Sequence, residues 1–417
     1  MINEPTTPSA ASDSQESDEL AVTYEEHRWA AAEAESDFAM SRRARLKARG
    51  PYLAAVLPEI AHRAFRLPAE VEAEAADALM EIARFDAELS ATDLGRDGEF
   101  APLAAILLRT ESASSSQIEK VTAGAKALAM ATIHENAGPN AQLVAANVAA
   151  MQRAVDMADD LSEDTILAAH GALMEGQEYA QPGRFRDRQV WIGGSAPTPH
   201  TASFVPPHAD RIKPAMADLL AFLDRTDIPV LPHVAIGHAQ FETIHPFADG
   251  NGRSGRALVH VMLKRAGATR RLTVPVSAGL LVDTEAYFDA LTAYRRGEVA
   301  PIVERFTAAA FAAVSNGRML NRDIADLYAE WEHLIVARRD AAVWKVLPHL
   351  VCQPAITVKF VQDATGVSNP AAQNAIDQLV AAQIVTPATA SRRNRVWLAD
   401  GVISALDEFA SRAGRRG

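Results

Sequence analysis

The stretch from His245 to Arg256 constrains this chain more than any other part of it. Gly250 and Gly252 flank Asn251 where a helical pattern begins. Glycines let successive backbone N–H groups turn inward into a concave anion site, and a helix N-terminus adds its partial positive charge. Arg253 and Arg256 fall in the first helical turn, spaced so that both can face one polyphosphate. Asp249, just ahead of this nest, is a hard carboxylate of the kind that holds Mg²⁺ together with phosphate oxygens and water. His245 opens the loop, fixed by Pro246 and anchored by the apolar Phe247, and can take a proton from a hydroxyl attacking phosphorus. Taken singly, each feature has a structural reading, since glycine turns before helices are common. Their coincidence in one loop points to phosphoryl-transfer chemistry.

Composition sets the frame. With 417 residues, 48% hydrophobic and 23% charged, the chain suits a soluble protein of two or three domains. No apolar run is long enough to span a bilayer, and the acidic, polar start is unlike a secretory signal, so a cytoplasmic location is expected. The single cysteine, Cys352, excludes an internal disulfide and reads as an apolar core residue. A net charge of −12 argues against chain-wide affinity for nucleic acid. Basic residues gather instead near the C-terminus, at Arg392, Arg393, Arg395, Arg412, Arg415 and Arg416.

Along the chain, residues 1–20 are too polar to order themselves. Residues 21–155, rich in Ala, Glu and Leu at helical spacing, are expected to be helical. Residues 156–315 hold the loop, 316–345 a connecting helix, and 346–417 a separate small domain. Within the glycine- and proline-rich interval 181–207, Gln189–Ile192 is the best candidate for a strand. Helices are expected near 209–223, 232–243, 252–266 and across 284–340. The last domain reads as helix, turn at Gly366, helix from Pro370 to Ala382, then strands at Ile384–Thr386 and Arg395–Leu398. That order suggests a winged helix-turn-helix.

The loop resembles the signature of the Fic family, His-Pro-Phe-x-Asp/Glu-Gly-Asn-Gly-Arg-x-x-Arg, at every fixed position. The resemblance implies a mainly α fold: a Fic helical core with a small β-hairpin flap, a helical N-terminal region and a C-terminal winged helix. It implies AMP transfer from ATP, with Mg²⁺, to a Ser, Thr or Tyr hydroxyl of a protein, the enzyme itself included. His245 becomes the general base and Asp249 the metal ligand. Gly250, Asn251 and Gly252 would hold the α-phosphate region, Arg253 the β-phosphate and Arg256 the γ-phosphate, with Ser254 and Gly255 between them. Gly183–Arg186, running into Val190, Trp191, Ile192, Gly193 and Gly194, resembles the flap that registers the target segment by strand addition. The helix of Tyr287 resembles the one flanking the nucleoside pocket. Tyr287 itself reads equally as a nucleotide contact or a packed tyrosine.

Upstream, Ser114–Glu119 reads by residue type as a serine-capped helix start with an acidic first turn. Beside the loop it resembles the family's inhibitory motif Ser/Thr-x-x-x-Glu-Gly/Asn. Ser115 and Glu119 match, whereas Lys120 stands where the motif has Gly or Asn. The implied brake is a Glu119–Arg256 pair that occupies the γ-phosphate ligand. Two other readings stay open. The same site can remove AMP from modified proteins, and the C-terminal domain can act as a DNA-binding regulator. Its presumptive recognition helix offers Gln373, Asn374 and Gln378 but no Lys or Arg, which favours a protein contact or a homodimer over DNA.

Overall fold

A computed structural model describes residues 20–29, 50–91, 102–133, 137–193, 198–270, 272–388 and 395–414. The polar tail, Gly194, Arg392, Arg393, Arg415 and Arg416 lie outside the described residues. The elements in chain order are β1 (Thr23–His27), β2 (Tyr52–Val56), α1 (Ala69–Ala91), α2 (Pro102–Ile118), α3 (Ala125–Thr132) and α4 (Pro139–Asp156). Next come α5 (Glu163–Leu173), α6 (Ile212–Leu223), α7 (Val230–Ile244), α8 (Asn251–Arg265), α9 (Val276–Leu281), α10 (Thr284–Arg295) and α11 (Ala300–Leu334). The tail contributes α12 (Ala342–Cys352), β3 (Ala355–Ile356), α13 (Val358–Thr365), α14 (Asn369–Ala381), β4 (Thr386–Pro387), β5 (Trp397–Leu398) and α15 (Asp400–Arg412). The fold is mainly α, as expected. The chain divides into two compact units, one within 1–75, 159–262 and 285–305, the other within 76–158, 263–284 and 306–417.

In the first unit α7 is the central helix: every residue from Leu231 to Ile244 is buried. Several of its buried polar side chains find partners, which is what a dry interior demands. His233 Nε2 sits 2.8 Å from the Phe222 carbonyl, Gln240 accepts from Tyr294 Oη at 2.9 Å, and Thr243 donates to the Ala239 carbonyl at 2.7 Å. α5 starts on a capping box, with Ser162 and Thr165 each bonding the other's backbone. The region 21–155 contains several helices but opens on two strands. β1 and β2 form an antiparallel pair, Glu25 opposite Ala54, and Ala55 N–H extends the pairing to the Val205 carbonyl at 3.0 Å. Tyr52, Ala54 and Val205 make a small core there, with Trp29 and Trp191 packed on it. Thr23–His27 alternates only weakly, so its pairing is a tertiary outcome.

In the second unit α2 is buried along most of its length and packs on α4, α9 and α12. Its fully buried Glu111 accepts from Ser277 N–H at 2.9 Å and from Ser277 Oγ, capping the start of α9. Arg109 donates to Gln353 Oε1 at 2.8 Å, and Asn147 Nδ2 to Ser116 Oγ at 2.7 Å. The tail strands form one antiparallel sheet in the order β3-β5-β4. β3 and the closing α15 are additions to the sequence reading, and the strands near 384–398 are shorter than expected. Gly366 ends α13 in the left-handed conformation, φ 69°.

Candidate active site

α7 ends at His245, whose φ of 51° and ψ of 60° place a non-glycine residue in left-handed backbone. The conformation is held from several sides. His245 N–H donates to the Phe241 carbonyl at 2.9 Å, and its own carbonyl accepts from Arg186 Nε at 2.8 Å. Its Nδ1 lies 3.3 Å from the Glu242 carbonyl. A carbonyl can only accept, so in the neutral ring this contact places the proton on Nδ1 and the lone pair on Nε2. The Glu242 carboxylate stands behind the ring, with Oε2 3.9 Å from Nδ1.

The rest of the loop is clamped by its own side chains. Asn251 Oδ1 accepts from Phe247 N–H at 2.8 Å while its Nδ2 donates to the Phe247 carbonyl at 2.9 Å, closing the turn. The fully buried Phe247 stacks on His170, ring centroids 3.7 Å apart. Gly183 N–H donates to His170 Nδ1 at 3.2 Å, so the ring proton is on Nε2 and donates to the Asp249 carbonyl at 3.0 Å. Burial pushes His170 down to about 4, which keeps it neutral. Gly250 has φ 79°, and a Cβ there would come within 2.7 Å of Met174 Sδ, so glycine is required. Ser254 N–H is the first amide of α8 to bond back, to Gly250 O at 2.9 Å. The amides ahead of it form the positive end of the helix.

Around this end sit the expected polyphosphate ligands. Arg253 and Arg256 are both buried, and Arg253 Nη2 lies 3.9 Å from Asp249 Oδ1. The Asp249 side chain is 45% exposed, a carboxylate open to an arriving metal. Ser254 Oγ is enclosed without a hydrogen-bond partner among the described residues. Gly252 is buried in the first turn, and Gly255 packs so that a Cβ would reach 3.0 Å from Glu242 Oε1. The structure therefore brings His245 and Asp249–Arg256 together.

Other expected residues fall differently. Tyr287 is packed, 1% exposed, with its hydroxyl 2.8 Å from His238 Nε2. The flap contains one isolated antiparallel bridge, Ile192 with Phe204, rather than a strand over Gln189–Ile192. Gln189 Nε2 donates to the Val190 and Pro206 carbonyls, which diverts this segment from regular pairing. Trp191 is half-buried against Trp29, and Gly193 turns the chain at φ 72°. Ser115 and Glu119 belong to the second unit. Ser114–Ser116 close α2 instead of opening a helix, because the apolar pattern continues through Ile118. Glu119 is exposed on the turn that follows, and Lys120 adopts φ 64°.

Residue types in the sequence did not single out the supports of this loop. The buried Arg186 donates to the carbonyls of His245, Arg188 and Pro207, at 2.8, 3.1 and 2.6 Å, and burial pushes it down to about 10. With its N–H on the Pro246 carbonyl at 2.9 Å, it ties the base of the flap to the loop. His170 gave no local signal, as it lies far from the loop in sequence. Glu242 had one, its i,i+3 spacing from His245 on a single helix.

Comparison with known proteins agrees with this geometry. The Fic/DOC family model matches residues 160–263. Protein adenylyltransferase fic-1 of Caenorhabditis elegans is 30% identical over 149 residues, 35% of this chain and 26% of that protein. Protein adenylyltransferase Fic of Aedes aegypti is 31% identical over 155 residues, 37% of this chain and 28% of that protein. The chain thus spans about a quarter of the length of these curated relatives. A crystal structure of a Fic family protein from Desulfovibrio desulfuricans G20 superposes with a TM-score of 0.50. It covers 80% of this chain and 97% of that one at 22% identity, a likeness of fold. The signature loop and its clamps lie inside the matched segment, so residues 160–263 are the part of this chain that is similar to the Fic/DOC family.

Proposed function

We propose that this protein is a protein adenylyltransferase that moves AMP from ATP onto a protein hydroxyl. The observation that carries the reading is the assembled loop: His245, with Nδ1 3.3 Å from the Glu242 carbonyl, shares it with Asp249 and with the buried Arg253 and Arg256 at the start of α8. Nε2 takes the proton of the acceptor hydroxyl as its oxygen bonds to the α-phosphorus of ATP, and pyrophosphate leaves. The N-terminus of α8, with Arg253 and Arg256, accepts the phosphate charge. Asp249, an accessible carboxylate, fits a Mg²⁺ held jointly with nucleotide phosphates; no cluster of metal-binding side chains exists among the described residues that would hold one alone. Such an ion would neutralise developing phosphate charge.

The inhibitory role of Glu119 is part of the proposal. Its support is Lys120, whose left-handed φ of 64° is the conformation that the motif's Gly or Asn suits. This agrees with placing Glu119 at the motif's glutamate. We also read the C-terminal segment as a winged helix, supported by the succession α13, α14, β4, β5. No described helix is long and apolar enough to cross a membrane.

Intact mass after incubation with ATP and Mg²⁺ tests the reading. An AMP increment on the protein, or on a protein acceptor present with it, is the expected result. Release of AMP from a modified protein without transfer from ATP would replace it with the reverse reaction.

A further inference from the structure

The last turn of α7 presents two groups of one residue to His245. The Glu242 carbonyl, 3.3 Å from Nδ1, sets the tautomer. The Glu242 carboxylate, 3.9 Å from the same nitrogen, is too distant for a hydrogen bond but close enough to act as a charge. Its side chain is 8% exposed, so solvent screens it little. α8 closes over it, with Gly255 against Oε1.

The other charged and titratable groups nearby do not duplicate this one. One turn earlier on α7, His238 Nε2 lies 4.0 Å from Glu242 Oε1 and 2.8 Å from Tyr287 Oη. Burial pushes His238 down to about 3, so it stays neutral. From α10, the half-buried Arg295 feels the Glu242 charge, which offsets part of its burial penalty. From the flap base, the Arg186 guanidinium bonds the His245 carbonyl. From the loop and α8 come Asp249, Arg253 and Arg256. A nearby cation disfavours a proton on an imidazole, and the carboxylate of Glu242, 3.9 Å from Nδ1, acts in the opposite sense.

We propose that Glu242 is a positioning residue whose carboxylate stabilises the His245 imidazolium formed when the acceptor hydroxyl loses its proton. The inference rests on the transfer reading given above. In the step itself, the hydroxyl O–H breaks, its proton joins His245 Nε2, the O–P bond forms and pyrophosphate departs. Glu242 exchanges no proton; its charge lies beside the cation made at that moment.

The test uses the full chain as wild type, Glu242→Gln and Glu242→Asp. His245 is titrated by ring ¹³C NMR without nucleotide, with His245→Ala identifying its signal. AMP incorporation from α-labelled ATP is followed against pH in the same proteins. Loss of a neighbouring anion lowers an imidazole pKa, so in Glu242→Gln the His245 titration and the acidic limb should both move down by about one pH unit. kcat should fall by about 10-fold with KM for ATP unchanged, and Glu242→Asp should recover most of both effects. A Glu242→Gln protein whose His245 titrates as in wild type overturns the proposal, whatever its activity. The converse, a shifted titration in a chain that transfers no AMP at all, would leave the electrostatic coupling standing and sink the transfer reading instead.

Discussion

Two helices of this protein end in the same unusual way and are held very differently. α7 ends on His245 at φ 51°, and α2 is followed within its terminal turn by Lys120 at φ 64°. Left-handed backbone costs a non-glycine residue roughly 1–2 kcal/mol, so each must be sustained by its surroundings. At His245 the support is dense: the Phe241 carbonyl, the buried Arg186, and a loop locked by Asn251 and by His170 stacked on Phe247. At Lys120 the hydrogen bonds are those of one turn, Lys120 N–H to the Gln117 carbonyl at 2.8 Å and Val121 N–H to the Ser116 carbonyl at 3.0 Å, on an exposed surface. The same backbone device thus appears once in a densely bonded frame around the proposed base, and once on an open turn beside the proposed brake. Strain that is over-determined suits chemistry, which tolerates little misplacement. Lightly held strain suits an element that must release.

The strongest way to break this contrast is His245→Ala, which removes the aimed base and leaves the frame. AMP incorporation should fall by at least about 1000-fold, read with α-labelled ATP. Incorporation at the wild-type level would make the rigid frame irrelevant to chemistry.

The frame itself has a pH signature. His170 is neutral when folded, with its pKa lowered from 6.5 to about 4, so below 6.5 the unfolded chain binds a proton that the folded one refuses. Stability should therefore decline as pH drops from 6.5 towards 4, by on the order of 3 kcal/mol from this group. His238 adds a decline in the same direction. Urea unfolding at pH 7 and 4.5 should show a smaller difference in His170→Gln than in wild type, and an equal difference would place the clamp elsewhere.

At the open turn the effects are smaller. Glu119→Gly should raise self-modification by roughly 10-fold, the size of a typical coupling between sites. Equal labelling of wild type and variant would remove the brake reading while leaving the loop untouched. Lys120→Gly relieves the left-handed strain and should stabilise the fold by about 1 kcal/mol, less the entropy glycine gains when unfolded. A lower melting temperature in that variant would mean that the Lys120 side chain, and not its backbone, matters at this turn.

Much of this was legible before any coordinates. The loop suggested its chemistry because its parts are contiguous: the twelve positions from His245 to Arg256 hold the proposed base, metal carboxylate, anion nest and arginines. α8 began at Asn251 and ended ahead of Gly267, close to where the glycines implied. The long helical regions followed from periodicity. The N-terminal strands did not, since β1 acquires its partner only at β2 and at Val205. The serine run at 114–116 lies at the end of α2, because short polar side chains close helices as readily as they open them when their hydroxyls bond back, as Ser116 Oγ does to the Ser112 carbonyl at 2.8 Å.

The sequence by itself determined which groups we propose do the work in this protein, because local order along one loop puts them within reach of each other in almost any fold. Only the tertiary structure decided how those groups are held. His170, Arg186 and Tyr287 lie far from the loop in sequence, and Glu242, though near, is an ordinary helical glutamate until burial raises the weight of its charge. Proximity across the chain and exclusion of water are properties of the packed molecule, and no single stretch of residues encodes them.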